Sequence, residues 1–129
     1  MGTVMDKFRG SVPYHLLFTE LVTAARYRGT VTYQELAQVL GLPLSGGQMA
    51  TVLGQVLGVI AQDEHAQQRP LLSAVAVGVN GIPDASFFRL AQDLGELARD
   101  ADAKAQRAFW KAQRAKAYET WKRPLRKEA

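Results

Sequence analysis

Three polar side chains recur on one face of a predicted helix, at a spacing suited to contacting the edges of nucleic-acid bases. They are Gln48, Thr51 and Gln55, which lie three and four residues apart. A glutamine amide can form two hydrogen bonds to adenine, and a threonine can contact the methyl group of thymine. The pattern therefore predicts base readout from the N-terminal part of this helix.

A second set of candidate residues lies near the C-terminus, in an alanine-rich segment that is predicted to be helical. At 100° per residue its cations fall within about 80° of one another, and a tyrosine lies among them. Lysine and arginine neutralise phosphates, and an interleaved aromatic ring can stack on a base. This stripe contains Lys104, Arg107, Lys111, Arg114, Tyr118 and Lys122.

Trp110 and Trp121 form a flanking stripe beside these cations. Together with Tyr118 they could anchor the helix in the groove of a protein partner. Alternatively, the two tryptophans pack on the rest of the protein or on a second copy of the helix. The sequence leaves these readings open.

The charge of the chain is strongly asymmetric. The net charge is +4, but residues 1–103 carry seven Lys/Arg against ten Asp/Glu, whereas residues 104–129 carry nine against two. Such a division predicts a basic appendage for a polyanion or an acidic partner on a nearly neutral body.

Several classes of activity find no support in the composition. The chain has no cysteine and only two histidines, which excludes thiol chemistry and makes a classical zinc site improbable. No apolar run approaches the roughly 18 residues of a membrane span, and the N-terminus lacks a signal-peptide layout. We expect a cytoplasmic, non-catalytic protein without cofactor, metal, membrane association or small-molecule substrate.

The candidate residues depend on a helix-turn-helix for their position. Apolar periodicity predicts a helix from Tyr14 to Arg28, and Thr32 with Glu35 forms a capping box that opens a second helix. Gly41-Leu42-Pro43 ends that helix, residues 44–47 form a turn, and a third helix follows from about Met49 to Ile60. The second helix would brace the third, which would present its exposed N-terminal residues.

The predicted recognition helix is uncharged, because no Lys or Arg occurs between Arg28 and Arg69. Phosphate neutralisation usually supplies much of the affinity for DNA. A helix-turn-helix with a protein-binding or purely structural role therefore stays an open alternative. Gly54 and Gly58, four residues apart on the same helix, predict close approach of another element.

The segment from Pro70 to Val79 is apolar at nearly every position and predicts a strand covered on both faces. Thr30-Val31-Thr32 is the only other strand-like stretch, so the sheet would be minimal or would be completed by another chain in a homodimer. A further helix starts at Pro83-Asp84, and from about Ala98 the chain is predicted to continue as a helix until Pro124.

The residues 29–37, Gly-Thr-Val-Thr-Tyr-Gln-Glu-Leu-Ala, together with Val52-Leu53-Gly54-Gln55-Val56 and Pro70 before a strand, carry a family resemblance. Residues 14–80 resemble the DNA-binding domain of the O6-alkylguanine-DNA alkyltransferases and alkyltransferase-like proteins. The resemblance implies a winged-helix fold that binds the minor groove and flips a base, with Tyr33 matching the family's tyrosine.

Two of the family's functional positions carry other residues here. The arginine that replaces the flipped base falls at about Thr51, and the Pro-Cys-His-Arg motif corresponds to Pro70-Leu71-Leu72-Ser73. Alkyl transfer needs the cysteine thiolate, so the sequence excludes that activity. The resemblance implies the fold and a DNA partner, without the reaction.

Together these patterns predict a mainly α protein. A winged-helix-like helix-turn-helix body with a minimal β-sheet would span residues 1–97, followed by a long basic helix over 98–123 and a disordered end over 124–129. The predicted function is non-catalytic binding of duplex DNA in a regulatory, repair or defence role. The alternative is an adaptor, or a small subunit of a nucleic-acid-processing complex, that offers its C-terminal helix to a protein partner.

Overall fold

The structure, a computed structural model, describes residues 5–43 and 47–122, and places most of them in helices. The turn predicted over residues 44–47 falls largely outside these ranges, and the predicted disordered end over 124–129 falls wholly outside them. In chain order the described elements are a 3-10 helix Met5–Phe8, α1 Val12–Arg26, β1 Val31–Thr32, α2 Tyr33–Val39, α3 Gly47–Ala66, a 3-10 helix Leu72–Val75, β2 Ala76–Val77, α4 Ala85–Asp93 and α5 Ala103–Trp121.

Local hydrogen bonds fix the starts of α1 and α2. Ser11 caps α1 by accepting from the backbone N–H of Tyr14, and the side chain of Thr32 accepts from the N–H of Glu35 at 3.1 Å. The Glu35 carboxylate accepts in return from the Thr32 N–H at 3.0 Å, which completes the predicted capping box. These caps satisfy donors that would otherwise lack a partner in the first turn of each helix.

The ends of the first two helices use a left-handed residue. Arg28 after α1 and Gly41 after α2 both have positive φ, and the next N–H reaches back into the last turn. The N–H of Gly29 donates to the carbonyl of Ala24 at 2.8 Å, and that of Leu42 donates to Ala37 at 2.9 Å. These bonds are helix C-caps of the Schellman type, so the ends of α1 and α2 are both locally encoded.

The strand predicted over residues 70–79 is wrong for most of its length. Leu72–Val75 forms a 3-10 helix, and only Ala76–Val77 pairs in parallel with Val31–Thr32. The segment is enclosed by helices, and side chains supply partners that a sheet would otherwise supply: Gln113 accepts from the Leu71 N–H, and Trp110 donates to the Ala74 carbonyl. Among the described residues the sheet is minimal, with β2 paired to β1 of the same chain, so this segment does not argue for a homodimer.

Two apolar clusters make up the core, and the Leu71–Val77 segment contributes to both. The larger cluster joins α1, α2 and α3 to the 3-10 helix Leu72–Val75. The smaller cluster joins the Leu71–Val77 segment to α4 and α5. The largest buried side chains of the two clusters together include Leu17, Leu21, Leu36, Ile60, Leu71 and Leu72.

The C-terminal helix begins later than predicted and does not continue from α4. α4 ends with Gly95 at φ 78°, residues 94–102 are not helical, and Asp102 caps α5 by accepting from the N–H of Ala105 at 2.8 Å. The boundary expected at residue 98 is thus displaced, because glycine in the left-handed conformation ends one helix and aspartate starts the next.

The predicted mainly α class with a minimal sheet is confirmed, as is a long C-terminal helix. Within the described ranges, the chain has no helix with the length and apolar character needed to cross a membrane.

Candidate nucleic-acid interface

One face of α5 is fixed to the body by buried residues. Trp110, Gln113 and Ala117 are its buried positions, separated by three and four residues. The Trp110 indole N–H donates to the Ala74 carbonyl at 2.8 Å, and the Gln113 side-chain oxygen accepts from the Leu71 N–H at 2.9 Å. Because these bonds are buried and directional, they set the rotation of α5 about its axis.

The stripe cations lie beside this buried face and are largely exposed. Lys104, Arg107, Lys111 and Lys122 are exposed, whereas Arg114 is half-buried with its guanidinium 4.6 Å from the centre of the Trp110 ring. The orientation of α5 about its axis therefore exposes four cations to solvent and leaves the fifth, Arg114, at the border of the buried face.

Most stripe cations have no anionic partner. Among the residues that the structure describes, no carboxylate forms an ion pair with Lys104, Arg107, Lys111 or Arg114. Lys122 is the exception, since its ammonium lies 2.6 Å from Glu119, and this hydrogen bond holds the pKa of that carboxyl below its usual value. Some cations of the body are paired, as in Arg69 with Glu64 and Arg99 with Asp93.

The aromatic residues predicted to bind a partner are occupied by the body. Trp110 is only 5% exposed, which is at odds with the partner-binding role expected for it. Trp121 is half-buried, with its ring edge-on to Phe18 at 5.8 Å and the Arg69 guanidinium 5.7 Å away. The Tyr118 hydroxyl donates to the Gly29 carbonyl at 2.9 Å. These rings attach α5 to α1, to the loop that follows α1 and to the 3-10 helix Leu72–Val75, because an alanine-rich helix has few other apolar side chains to bury.

The candidate base-reading residues have unequal exposure. Gln48 and Thr51 are exposed near the start of α3, whereas Gln55 is half-buried. Tyr33, which matches the family's tyrosine, is half-buried, and its hydroxyl oxygen accepts from the Asp84 N–H at 3.0 Å. Burial raises the pKa of Tyr33 to about 12, so its phenol keeps its proton near neutral pH.

The charges beside the first half of α3 do not favour phosphate. Asp84 and Asp93 line the same cavity as Met49 and Ala50, with Arg89 as the only cation lining it. The C-terminal end of α3 is the part that neighbours α5, since His65 shares a groove with Gln113. Gln48 is about 26 Å away from His65 along α3, at 1.5 Å per residue. Gln48 thus lies at the opposite end of α3 from the groove that α3 shares with Gln113.

Two features of the structure were not predicted from the sequence. Glu64 is fully buried and pairs with Arg69 at 2.7 Å. The packing expected at Gly54 is also wrong, because a Cβ atom at this position would meet no atom of another described element within 4 Å. A glycine inside a helix costs about 1 kcal/mol relative to alanine, so Gly54 needs another explanation.

Comparison of the chain with models of known protein families, with curated proteins and with solved structures finds no match. The resemblance of residues 14–80 to the alkyltransferase family therefore stays a prediction. The inferences below depend on the geometry of this chain alone.

Proposed function

We propose that this protein binds duplex DNA without catalysing a reaction on it, and that the basic face of α5 supplies most of the affinity. The basic face is defined as Lys104, Arg107, Lys111, Arg114 and Lys122. The observation that carries the proposal is that a buried, hydrogen-bonded face orients α5 so that most of these cations face solvent. Among the residues that the structure describes, Lys122 alone of the five has a carboxylate partner.

The dimensions of the basic face suit a duplex. Lys104 and Lys122 are 18 residues apart, which corresponds to about 27 Å of helix. A duplex carries one negative charge per roughly 1.7 Å of its axis, so several phosphates lie within reach of such a length. Cations that are already exposed and unpaired need not break an ion pair before they contact phosphate.

The same packing weakens the adaptor alternative. A helix that binds in a partner's groove uses its apolar face as the ligand. On α5 that face is covered by the body, and Trp110 in particular is buried. Release of this face would leave the Leu71 N–H and the Ala74 carbonyl without their side-chain partners.

The proposal is tested by fluorescence anisotropy with a labelled duplex at several NaCl concentrations. If four to five phosphates are neutralised, the slope of log Kobs against log salt concentration is about −4. The double variant Lys104→Gln/Lys111→Gln should make this slope shallower by about 2, because each lost phosphate contact removes about 0.9.

The double variant Arg89→Gln/Arg99→Gln is the matched control, since it removes two positive charges from outside the basic face. It should leave the slope unchanged. Equal weakening by both double variants would contradict a specific role of α5, and absence of binding at low salt would contradict DNA binding altogether.

A separate arm of the experiment addresses base readout by α3. Gln48 and Thr51 are uncharged, so Gln48→Ala/Thr51→Ala should reduce discrimination among sequences selected from a random duplex pool without changing the salt slope. If the same sequences are selected by both proteins, α3 does not read bases.

A further inference from the structure

Tyr27, directly after α1, is the only exposed Phe, Tyr or Trp side chain in the described part of the chain. It is 66% exposed, whereas every other Phe, Tyr and Trp in the described ranges is buried or half-buried. The flat faces of an aromatic ring are apolar, and their contact with another flat ring is favourable. Tyr27 therefore keeps most of its surface within reach of a ligand.

Two arginines flank this ring in the sequence. Arg26 and Arg28 are both exposed, and no described carboxylate forms an ion pair with either guanidinium. Because consecutive Cα atoms are only about 3.8 Å apart, both charges originate close to the ring. Residues 26–28, which we name the α1 turn, thus combine an exposed aromatic ring with two cations.

Hydrogen bonds hold the α1 turn in one conformation. The backbone N–H groups of Tyr27 and Arg28 donate to carbonyls in the last turn of α1. On the other side, the Gly29 carbonyl accepts from the Tyr118 hydroxyl at 2.9 Å. A side chain on a fixed backbone loses less conformational entropy on binding than one on a flexible segment. The ring of Tyr27 is therefore presented from a preorganised position.

The α1 turn adjoins the C-terminal part of the basic face. Tyr118, whose hydroxyl donates to the Gly29 carbonyl, belongs to the same stripe of α5 as the cations. The charge of Arg28 also reaches α5, because the pKa of Glu119 is lowered first by the hydrogen bond from Lys122 and further by Arg28. One nucleic-acid molecule can therefore contact the α1 turn and the end of the basic face together.

An intact duplex does not offer a base face to such a ring. Bases within a duplex are stacked on both sides, so Tyr27 would have to separate a base step, which is energetically costly. An unpaired base next to a duplex has a free face, and it stacks on an aromatic side chain whatever its identity. Cations on both sides of the ring suit the phosphates that flank this base.

We propose that the preferred ligand of this protein is a junction between duplex and single-stranded DNA, with the duplex on the basic face and the first unpaired base stacked on Tyr27. This inference rests on the proposed binding of DNA and names the form of DNA that is bound. Arg26 and Arg28 neutralise phosphates of the single strand. Since stacking is tolerant of sequence, it adds affinity for the junction without selecting a base.

Fluorescence anisotropy with a blunt duplex, the same duplex with a short 3′ or 5′ single-stranded extension, and the free single strand tests this preference. We expect one of the two junctions to bind about tenfold more tightly than the blunt duplex and the single strand. Equal affinities for duplex and junctions would overturn the inference and leave duplex binding intact. Absence of binding to all four ligands would contradict the proposed function as well.

Tyr27→Ala should weaken binding of the preferred junction by about tenfold and leave binding of the blunt duplex unchanged, because only the stacking surface is lost. Tyr27→Phe retains the ring and should retain the preference. Leu16→Ala is the matched control, since it removes another exposed apolar side chain of the α1 region, and it should bind both ligands normally. An equal loss for both ligands in Tyr27→Ala would contradict stacking on an unpaired base.

2-Aminopurine at the first unpaired position of the junction reports stacking directly, because its fluorescence is quenched when an aromatic ring stacks on it. Saturating amounts of the full chain or of Tyr27→Phe should quench it, and Tyr27→Ala should not. Arg26→Gln/Arg28→Gln should keep the quenching at saturation, while the salt slope for the junction becomes shallower by about 1.4. Quenching by Tyr27→Ala as strong as that by the full chain would exclude Tyr27 as the stacking residue.

Discussion

Glu64, near the end of α3, is the most deeply buried charged residue in the described part of the chain. Its side chain is 1% exposed, and both carboxylate oxygens accept from the guanidinium of Arg69, at distances between 2.7 and 3.1 Å. The hydrogen bonds that the Arg69 guanidinium donates to Glu64 raise the pKa of Arg69 above its ordinary value. Arg69 also contacts the ring of Trp121, so this pair links the end of α3 to the end of α5.

Arg69→Ala should lower the free energy of unfolding by about 3 kcal/mol, because it leaves a buried carboxylate without its partner. The value lies at the lower end of the range for buried pairs, since the Arg69 side chain is 37% exposed. Arg99→Ala is the matched control: its pair with Asp93 is exposed on both sides and should contribute at most about 1 kcal/mol. Urea denaturation of the two variants measures both values, and equal losses would contradict the distinction.

At the scale of single elements, α5 depends on a cap that its sequence supplies. Asp102 accepts from the N–H of Ala105 at 2.8 Å, in the first turn of a helix made largely of alanine and cations. A carboxylate at this end also interacts favourably with the helix dipole. The cap therefore helps to determine where α5 and its basic face begin. Asp102 lies four residues after the boundary at residue 98 that composition alone suggested.

Asp102→Ala should lower the free energy of unfolding by about 1 kcal/mol, because the N-cap hydrogen bond is lost. Asp100→Ala removes the same charge two residues earlier, where no described side-chain hydrogen bond is lost, and should change stability by less than about 0.5 kcal/mol. Thermal denaturation followed by circular dichroism distinguishes them. Similar effects of the two substitutions would indicate that general charge, and not the cap, is responsible.

At the scale of the whole molecule, α5 belongs to the core, although its composition suggested an appendage. Trp110 and Ala117 are members of the two apolar clusters, and Gln113 satisfies the buried N–H of Leu71. An element that completes the core and carries the cations would present them in a fixed arrangement. A flexible basic tail could adapt to many polyanions, whereas this arrangement fits a surface of defined shape.

A chain that ends at residue 101 should therefore fail to fold cooperatively. It would expose the Leu71–Val77 segment and remove the partners of Leu71 and Ala74 in one step. A chain that ends at Lys122 keeps every described contact of α5 and serves as the control. Amide dispersion in NMR spectra decides the outcome, and a dispersed spectrum from the shorter chain would show that the body is an independent domain.

The features that could be predicted from the sequence are those encoded within a few neighbouring residues. The capping box of Thr32 and Glu35 and the mainly α class both follow from local hydrogen bonding and apolar periodicity. The exposure of Lys104 and Lys111 follows similarly from their shared helix face.

Tertiary structure alone decided the burial of Trp110 and Glu64, the conformation of residues 72–75 and the cavity lined by Met49 and Ala50. Each depends on what distant elements place opposite a residue, because apolar and polar side chains alike can be buried once a partner is supplied. The sequence by itself determined the order of the main helices, the capping box that opens α2 and which face of α5 is basic. Which faces the core would cover could emerge only when α1, α3 and the Leu71–Val77 segment packed together.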